Sequence, residues 1–200
     1  MAGIDLRYFV KALQTLARQP GVDPNALVVE GVSRGSEAAQ LLGSHFPALV
    51  HGVIAGVPSS VVNGPYPRQA TPSWLLDGHV LPEVPTYLYG DADPVGAPAA
   101  IIPDERIHGP ILLDCGGQDL VWPSCSYLGA ITQRLKDRHF AYAVTAIQYP
   151  DAGHGAGVPS RYNSATPQIL VDHGGDLLAT IQAESDFYQH VLDFLGALAK

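Results

Sequence analysis

A serine, an aspartate and a histidine occur in this 200-residue chain in the order Ser33, Asp119, His154. A serine hydroxyl is a weak nucleophile until a base removes its proton, and a carboxylate must fix the tautomer of that base and stabilise its charge. In doubly wound hydrolases the three groups follow this same order, each in a loop after the carboxyl end of a strand. The residue types and their order therefore predict attack by Ser33 on an acyl carbon.

The serine is the centre of a G-x-S-x-G pentapeptide, residues 31–35. Residues 26–30 are apolar and rich in valine, which predicts a buried strand before it, and the residues after it have helical periodicity. At such a turn the serine is strained and its hydroxyl is exposed, and the flanking Gly31 and Gly35 avoid clashes. We expect the backbone N–H of Arg34, at the helix N-terminus, to donate to the oxyanion. The alternative is a glycine-rich turn in which a serine happens to occur.

Asp119 and His154 each follow a predicted strand, residues 110–114 and 142–149 respectively. Asp114 lies in or at the end of its strand, and we expect it to be structural or to cap a turn. Asp151 precedes the histidine too closely to reach its far nitrogen. Seven other histidines are expected to be surface or packing residues: His45, His51, His79, His108, His139, His173 and His190. The alternative for His154 is a turn histidine without a catalytic role.

Strands that alternate with helices predict an α/β fold, with a parallel sheet and helices on both faces. The predicted strands are 26–30, 50–57, 110–114 and 142–149. The predicted helices are 5–18, with Asp5 as its cap, 124–138 and 174–200, whose buried stripe is Leu177, Leu178, Ile181, Phe187, Val191, Leu192, Phe194, Leu195 and Leu198. We expect one domain over residues 1–200.

Residues 59–109 form a proline-rich excursion between the second and third predicted strands. Prolines at that density exclude long helices and central strands, so we expect a lid-like segment over the site with one helical turn near 97–101. Its aromatic residues are Tyr66, Trp74, Tyr87 and Tyr89. They are expected either to line an acyl pocket or to pin the segment down.

Composition narrows the function further. The chain is 46% hydrophobic with a formal charge of −8, which favours a globular protein and disfavours nucleic acid as a partner. No run of about 18 apolar residues and no export signal is present. Two cysteines, Cys115 and Cys125, predict free, buried thiols and a cytoplasmic location. No metal-binding spacing and no dinucleotide loop occurs, so neither a metal nor a cofactor is expected.

Several segments resemble the C-terminal domain of the family of acyl-CoA thioesterases and bile acid-CoA:amino acid N-acyltransferases. The similar segments are the helix from Tyr8 to Pro20, the elbow 31–35, the strand entry 102–113, the acid loop 116–124, the histidine loop 149–154, and Gly174-Gly175 before the final helix. The resemblance covers nearly the whole chain. It implies Ser33 as nucleophile, Asp119 as orienting acid and His154 as base.

The resemblance further implies an acyl-CoA thioesterase of lipid metabolism, because family members with serine at the elbow resemble thioesterases and those with cysteine include N-acyltransferases. A carboxylesterase or dienelactone-hydrolase-like enzyme, an amino-acid N-acyltransferase and a catalytically weak truncated subunit remain alternatives. The family has further strands before the helix at Asp5, and one early loop supplies a second oxyanion donor. This chain starts at that helix and is expected to lack the early strands, which leaves an open sheet edge. Either a dimer mate or a second chain covers this edge, or the chain is a minimal remnant or a truncated gene product.

Overall fold

The computed structural model describes residues 2–65, 70–85, 89–161 and 172–198. In chain order, the described residues form β1 (Ile4–Asp5), α1 (Arg7–Leu16), β2 (Val28–Val32), α2 (Arg34–His45), β3 (Gly52–Gly56), β4 (Trp74–Leu76), β5 (His79–Val80), β6 (Ile111–Gly116), α3 (Ser124–Asp137), β7 (Val144–Tyr149) and α4 (Leu177–Leu198). The four strands predicted from the sequence are β2, β3, β6 and β7, each within a few residues of its expected bounds.

These four strands form one parallel sheet in the order β2-β3-β6-β7. Every residue of β3 and β6, the two inner strands, is buried. Their sequences, GVIAG and ILLDCG, are near-continuous apolar runs, as expected of strands covered on both faces. Within the described residues, β2 pairs with β3 alone, and the expected cover from a dimer mate or second chain stays a prediction.

Helices cover both faces of this sheet. Successive side chains of a strand point to opposite faces, so neighbouring residues of one strand contact different helices. Val53 and Ala55 of β3 belong to the core that includes apolar residues of α1, α2 and α3. Ile54, between them, belongs instead to the cluster with Phe187 and Val191 of α4. The predicted α/β fold class, a parallel sheet with helices on both faces, is confirmed.

The parallel arrangement places four chain exits at one edge of the sheet, and the proposed catalytic residues follow three of them. Ser33 follows β2, Val57 follows β3, Asp119 lies three residues after β6, and His154 lies five residues after β7. The sheet therefore brings together residues that are 86 and 35 positions apart in sequence.

The proline-rich excursion forms a second, small sheet in the order β1-β4-β5. β1 pairs with β4 in parallel, so the first residues of the chain are joined to the excursion at Ile4 and Trp74. A 3₁₀ turn at Pro98–Ala100 confirms the helical turn expected near 97–101. The excursion is thus fixed to the body of the protein at several points along its length.

Two helix predictions need correction. The first helix begins at Arg7, and Asp5 belongs to β1, although its carboxylate does accept a hydrogen bond from the Arg7 N–H (2.9 Å). In α4, Leu178, Leu192 and Leu195 are exposed, because one face of the helix contacts the sheet and the apolar stripe is wider than that contact. Within the described residues, no helix combines the length and apolar character that crossing a membrane requires.

The prediction of free thiols is wrong, because Cys115 and Cys125 form a disulfide with Cα atoms 5.1 Å apart. Cys115 lies near the end of β6, and Cys125 lies in the first turn of α3, which folds back onto that strand end. The ten-residue separation conceals this contact in the sequence. The cytoplasmic location stays a prediction, without the support of free thiols.

Candidate active site

Ser33 is in a strained backbone conformation, with φ +56° and ψ −121°, between β2 and α2. Its N–H donates to the Gly56 carbonyl of the neighbouring strand (2.9 Å), and its own carbonyl accepts from the Ser36 hydroxyl (2.5 Å). A Cβ at Gly31 would overlap the carbonyl of Gly35, so glycine is required there. Apart from its chain neighbours and the backbone of its own helix, no described atom lies within 4 Å of a Cβ placed on Gly35, so the expected clash with the neighbouring strand is absent.

The structure brings the three predicted residues together in one hydrogen-bonded line. His154 Nε2 is 2.7 Å from Ser33 Oγ, and His154 Nδ1 is 2.8 Å from Asp119 Oδ2. In the tautomer with the proton on Nδ1, the imidazole donates to Asp119 and accepts from the serine hydroxyl. This is the arrangement that lets a histidine accept the serine proton during attack.

Asp119 is oriented by its own loop. Its Oδ1 accepts hydrogen bonds from the backbone N–H groups of Val121 (2.9 Å) and Trp122 (3.2 Å), which leaves Oδ2 for the histidine. The side chain is 1% exposed and that of His154 is 10% exposed, so little water competes for the bond between them. A fixed and desolvated carboxylate is well placed to stabilise a positive charge on the imidazole.

The histidine turn is held from behind by the segment before α4 and by the first turn of that helix. The His154 N–H donates to the carbonyl of His173 (3.2 Å), and the Gly153 N–H donates to the Thr180 hydroxyl (3.0 Å). A Cβ on Gly153 would overlap the Gly174 carbonyl, which explains why glycine precedes the histidine. His173, expected to be a surface or packing residue, thus supports the turn through its backbone and packs its ring against that of His154.

Asp114 has the structural role that the sequence suggested. It is fully buried in β6, and its Oδ1 accepts from the Val57 N–H (3.0 Å). Burial raises the pKa of this carboxyl to about 8, and the nearby negative charge of Asp119 adds to the rise. Burial thus favours the protonated, neutral form of Asp114, in contrast to the carboxylate that a catalytic triad requires.

On the other side of Ser33, the side chain of Arg34 anchors the excursion. Its guanidinium donates to the Glu37 carboxylate (2.9 and 3.1 Å), to the carbonyls of Asn63 (2.8 Å) and Gly64 (2.9 Å), and to the Ser73 hydroxyl (2.5 Å). Sequence reasoning missed this cluster, because Asn63, Gly64 and Ser73 lie 29 to 39 residues from Arg34. The i, i+3 spacing of Arg34 and Glu37 was the one signal available.

Glu37 is the centre of the same cluster. It is fully buried and also accepts from Trp74 Nε1 (2.8 Å) and Asn63 Nδ2 (3.0 Å). Burial raises the pKa of the Glu37 carboxyl, while Arg34 and the donors from Trp74 and Asn63 oppose that rise. Arg34 also begins α2, so its backbone N–H has no acceptor within the helix and is directed outward from the N-terminus.

Two of the four aromatic residues of the excursion lie among the described residues. Trp74 is buried against Glu37, which favours the pinning role for that residue. Tyr89 is half exposed, and its hydroxyl donates to the Val121 carbonyl in the acid loop (2.9 Å). Tyr66 and Tyr87 lie outside the described residues.

The sequence model of the family "BAAT / Acyl-CoA thioester hydrolase C terminal" matches residues 4–199. The chain belongs to this family. It is 25% identical over 213 residues to the peroxisomal succinyl-coenzyme A thioesterase of Mus musculus, an alignment that covers 96% of this chain and 49% of the relative. This member of the thioester hydrolase family thus spans about half the length of the curated relative that it matches.

Several solved structures have a similar fold. MGS-M1, an α/β hydrolase from a Medee basin deep-sea metagenome library, has a TM-score of 0.58 and 14% identity, with 96% of this chain and 64% of that chain covered. A post-proline cleaving enzyme from Rickettsia typhi has a TM-score of 0.59 and 18% identity, with 96% and 24% covered. A Klebsiella pneumoniae protein named as a dienelactone hydrolase has a TM-score of 0.57 and 15% identity, with 96% and 60% covered. At these identities the likeness supports the fold alone.

Proposed function

We propose that this chain is a serine hydrolase that cleaves acyl-CoA thioesters through an acyl-Ser33 intermediate. The observation that carries the proposal is the hydrogen-bonded line from Ser33 through His154 to Asp119, with distances of 2.7 and 2.8 Å. The strained φ of Ser33 adds weight, because such strain is concentrated at functional sites.

In the first step, Ser33 Oγ attacks the thioester carbonyl carbon while His154 Nε2 accepts the hydroxyl proton. Asp119 stabilises the imidazolium through the bond to Nδ1–H. The tetrahedral intermediate collapses with cleavage of the carbon–sulfur bond, and the imidazolium returns its proton to the departing thiol. The acyl group is then an ester of Ser33.

In the second step, a water molecule takes the place of the thiol. His154 accepts a proton from this water as its oxygen attacks the acyl-serine carbonyl. Collapse of the second intermediate breaks the bond to Ser33 Oγ, which recovers a proton from the imidazolium. The products are a carboxylic acid and the free enzyme.

The negative oxygen of both intermediates needs a donor, and the backbone N–H of Arg34 is proposed for that role. It lies one residue after the nucleophile, at the N-terminus of α2, where unpaired N–H groups and the helix dipole favour negative charge. The ion pair of Arg34 with Glu37 neutralises its guanidinium, so the proposed donor is the backbone and not the side chain.

Thioesters are proposed as substrates because the chain belongs to a thioester hydrolase family and resembles a succinyl-CoA thioesterase. Several cations are already committed to carboxylates: Arg7 to Asp77, Arg34 to Glu37 and Arg134 to Glu105. These ion pairs reduce the positive charge available for the phosphates of CoA. A direct assay must therefore test whether CoA is the thiol that carries the acyl group.

That assay follows release of the CoA thiol from succinyl-CoA and from straight-chain acyl-CoAs. Ser33→Ala is the test variant, and Ser44→Ala, a buried serine at the other end of α2, is the matched control. Wild type and Ser44→Ala are expected to release thiol, and Ser33→Ala is not.

Three other outcomes separate the alternatives. Equal release by Ser33→Ala would overturn the serine mechanism. Cleavage of p-nitrophenyl esters without cleavage of CoA thioesters would replace the proposed substrate with carboxylic esters. Amide formation in the presence of glycine or taurine would identify acyl transfer in place of hydrolysis.

A further inference from the structure

Trp122 contacts both partners of the nucleophile. Its indole ring packs edge-on against the imidazole of His154, with ring centroids 5.6 Å apart and planes at 78°. Its backbone N–H donates to Asp119 Oδ1 (3.2 Å). The residue is 5% exposed, so the ring is a wall beside the imidazole and not a mobile surface group.

The indole is itself anchored to the neighbouring strand end. Trp122 Nε1 donates to the carbonyl of Val57, the residue after β3 (3.1 Å). This hydrogen bond links the acid loop after β6 to the adjacent strand across 65 residues of sequence. It prevents the ring from turning about its side-chain torsions, because a turned indole would leave a buried N–H without an acceptor.

Val57 has a backbone conformation that valine rarely adopts, with φ +39°. A β-branched residue in this region is a genuine outlier, and such strain persists only where surrounding contacts enforce it. Two contacts do so here: Asp114 Oδ1 accepts from the Val57 N–H (3.0 Å), and Trp122 bonds to the Val57 carbonyl. A Cβ on Gly157, in the same turn as His154, would lie 2.7 Å from the Val57 nitrogen. Val57 is therefore in close contact with both β6 and the turn that contains His154.

We infer that Trp122 is a positioning residue for His154, held in place by the strained Val57 and its buried partner Asp114. The inference rests on the proposed function, since it assigns the indole a part in aligning the base with Ser33. The bond from Asp119 fixes one nitrogen of the imidazole, but the ring still has freedom to rotate about that bond. The T-shaped contact with the indole removes this freedom and keeps Nε2 directed at Ser33 Oγ.

The test measures the rate at which an alkyl fluorophosphonate, a probe that reacts with activated serines, labels Ser33. Trp122→Phe retains an aromatic ring but loses the donor to Val57. We expect the maximal labelling rate to fall about tenfold, because small displacements of a catalytic group have large effects on rate. The apparent affinity for the probe is expected to stay unchanged. A fall in affinity at an unchanged maximal rate would overturn the inference and make Trp122 a substrate-binding wall.

A pair of variants at Asp114 tests the anchor without altering the indole. Asp114→Asn retains an oxygen acceptor for the Val57 N–H, and Asp114→Ala removes it. We expect the labelling rate of Asp114→Asn to be within about twofold of wild type and that of Asp114→Ala to be reduced about fivefold or more. Equal rates for the two variants would contradict the inference.

Two controls separate positioning from general destabilisation and from failure of the proposed function. Leu135→Ala truncates the main hydrophobic core at the far end of α3, away from Trp122, and it is expected to lower the melting temperature while the labelling rate is retained. The downfield proton resonance of His154 Nδ1–H bonded to Asp119 is expected to weaken in Trp122→Phe and to persist in Leu135→Ala. A resonance unaltered by Trp122→Phe would overturn the inference whatever the activity. An unlabelled wild type with this resonance intact would refute the proposed function alone.

Discussion

Two buried polar clusters flank Ser33, and each contains a tryptophan whose Nε1 is hydrogen-bonded. On one side, Trp122 donates to the Val57 carbonyl (3.1 Å) and packs against the imidazole of His154. On the other side, Trp74 donates to the carboxylate of Glu37 (2.8 Å). We call these the histidine cluster and the arginine cluster, the latter after Arg34.

The clusters differ in what they join. The histidine cluster joins loops at the ends of adjacent parallel strands, so the sheet already determines where its members lie. The arginine cluster joins the first turn of α2 to the excursion through hydrogen bonds from Arg34 to Asn63, Gly64 and Ser73, and the ion pair of Arg34 with Glu37 lies within that turn. We therefore expect the histidine cluster to serve the reaction and the arginine cluster to keep the excursion in place.

The largest expected effect tests whether the histidine cluster serves the reaction. His154→Ala removes the base, and we expect the rate of Ser33 labelling to fall about 10⁴-fold, as for other members of such triads. The free energy of unfolding is expected to change far less than the rate. A labelling rate within tenfold of wild type would place the base elsewhere.

Glu37→Ala tests whether the arginine cluster anchors the excursion. It leaves the guanidinium of Arg34 partly buried without its carboxylate, and the loss of one partner from a buried pair costs about 3–5 kcal/mol. Chemical denaturation measures this cost. Trp74→Phe, which removes one donor to the same carboxylate, is the matched control and is expected to cost about 1 kcal/mol.

Glu37→Ala also distinguishes the two clusters by their effects on the rate of Ser33 labelling. We expect labelling of folded Glu37→Ala by a short-chain probe to fall less than about tenfold, because the bond between His154 and Ser33 is untouched. A loss as large as that of His154→Ala would show that both clusters serve the reaction.

The disulfide gives a smaller effect on the histidine side. It closes the loop that carries Asp119, and replacement of Cys115 and Cys125 by alanine is expected to lower the free energy of unfolding by about 2–4 kcal/mol. Labelling is expected to persist, because Asp119 is also held by the N–H groups of Val121 and Trp122. Loss of labelling from the folded double variant would mean that the disulfide itself holds the acid loop.

The smallest expected effect, counted per pH unit, is the change in the free energy of unfolding that Asp114 causes. Burial holds its pKa at about 8 in the folded protein, against 3.8 ordinarily, so the native state retains a proton that the unfolded chain has lost between these values. Stability from this group is complete below pH 4 and is lost as pH rises to 8, with a slope of at most about 1.4 kcal/mol per unit.

Asp114→Asn has no such proton, and the free energy of unfolding of wild type relative to this variant should decline over that range. Urea titrations at several pH values measure the difference. A difference that does not vary with pH would mean that Asp114 is ionised when buried.

Sequence reasoning succeeded where periodicity and strand order determine position. The runs VVE, GVIAG and ILLDCG predict buried parallel strands, and parallel strands place Ser33, Asp119 and His154 at one edge. Arg34 was selected for its backbone alone, since that role depends only on its place after the nucleophile.

The arginine cluster and the disulfide were beyond the reach of the sequence. Proline-rich segments have no periodicity, so the return of Asn63 and Ser73 to the elbow left no pattern to detect. The pairing of Cys115 with Cys125 depends on how tightly α3 turns back after the acid loop. The strain at Val57 has no sequence signature, because valine is an ordinary residue at the end of a strand.

The proposed mechanism requires Ser33 to be an activated nucleophile. Its most direct test is reaction of the 200-residue chain with a fluorophosphonate, followed by intact mass and peptide mapping, with Ser33→Ala in parallel. We expect one adduct per chain, located on Ser33 and absent from the variant. A folded protein that takes up no adduct, or takes it up on another residue, would contradict it.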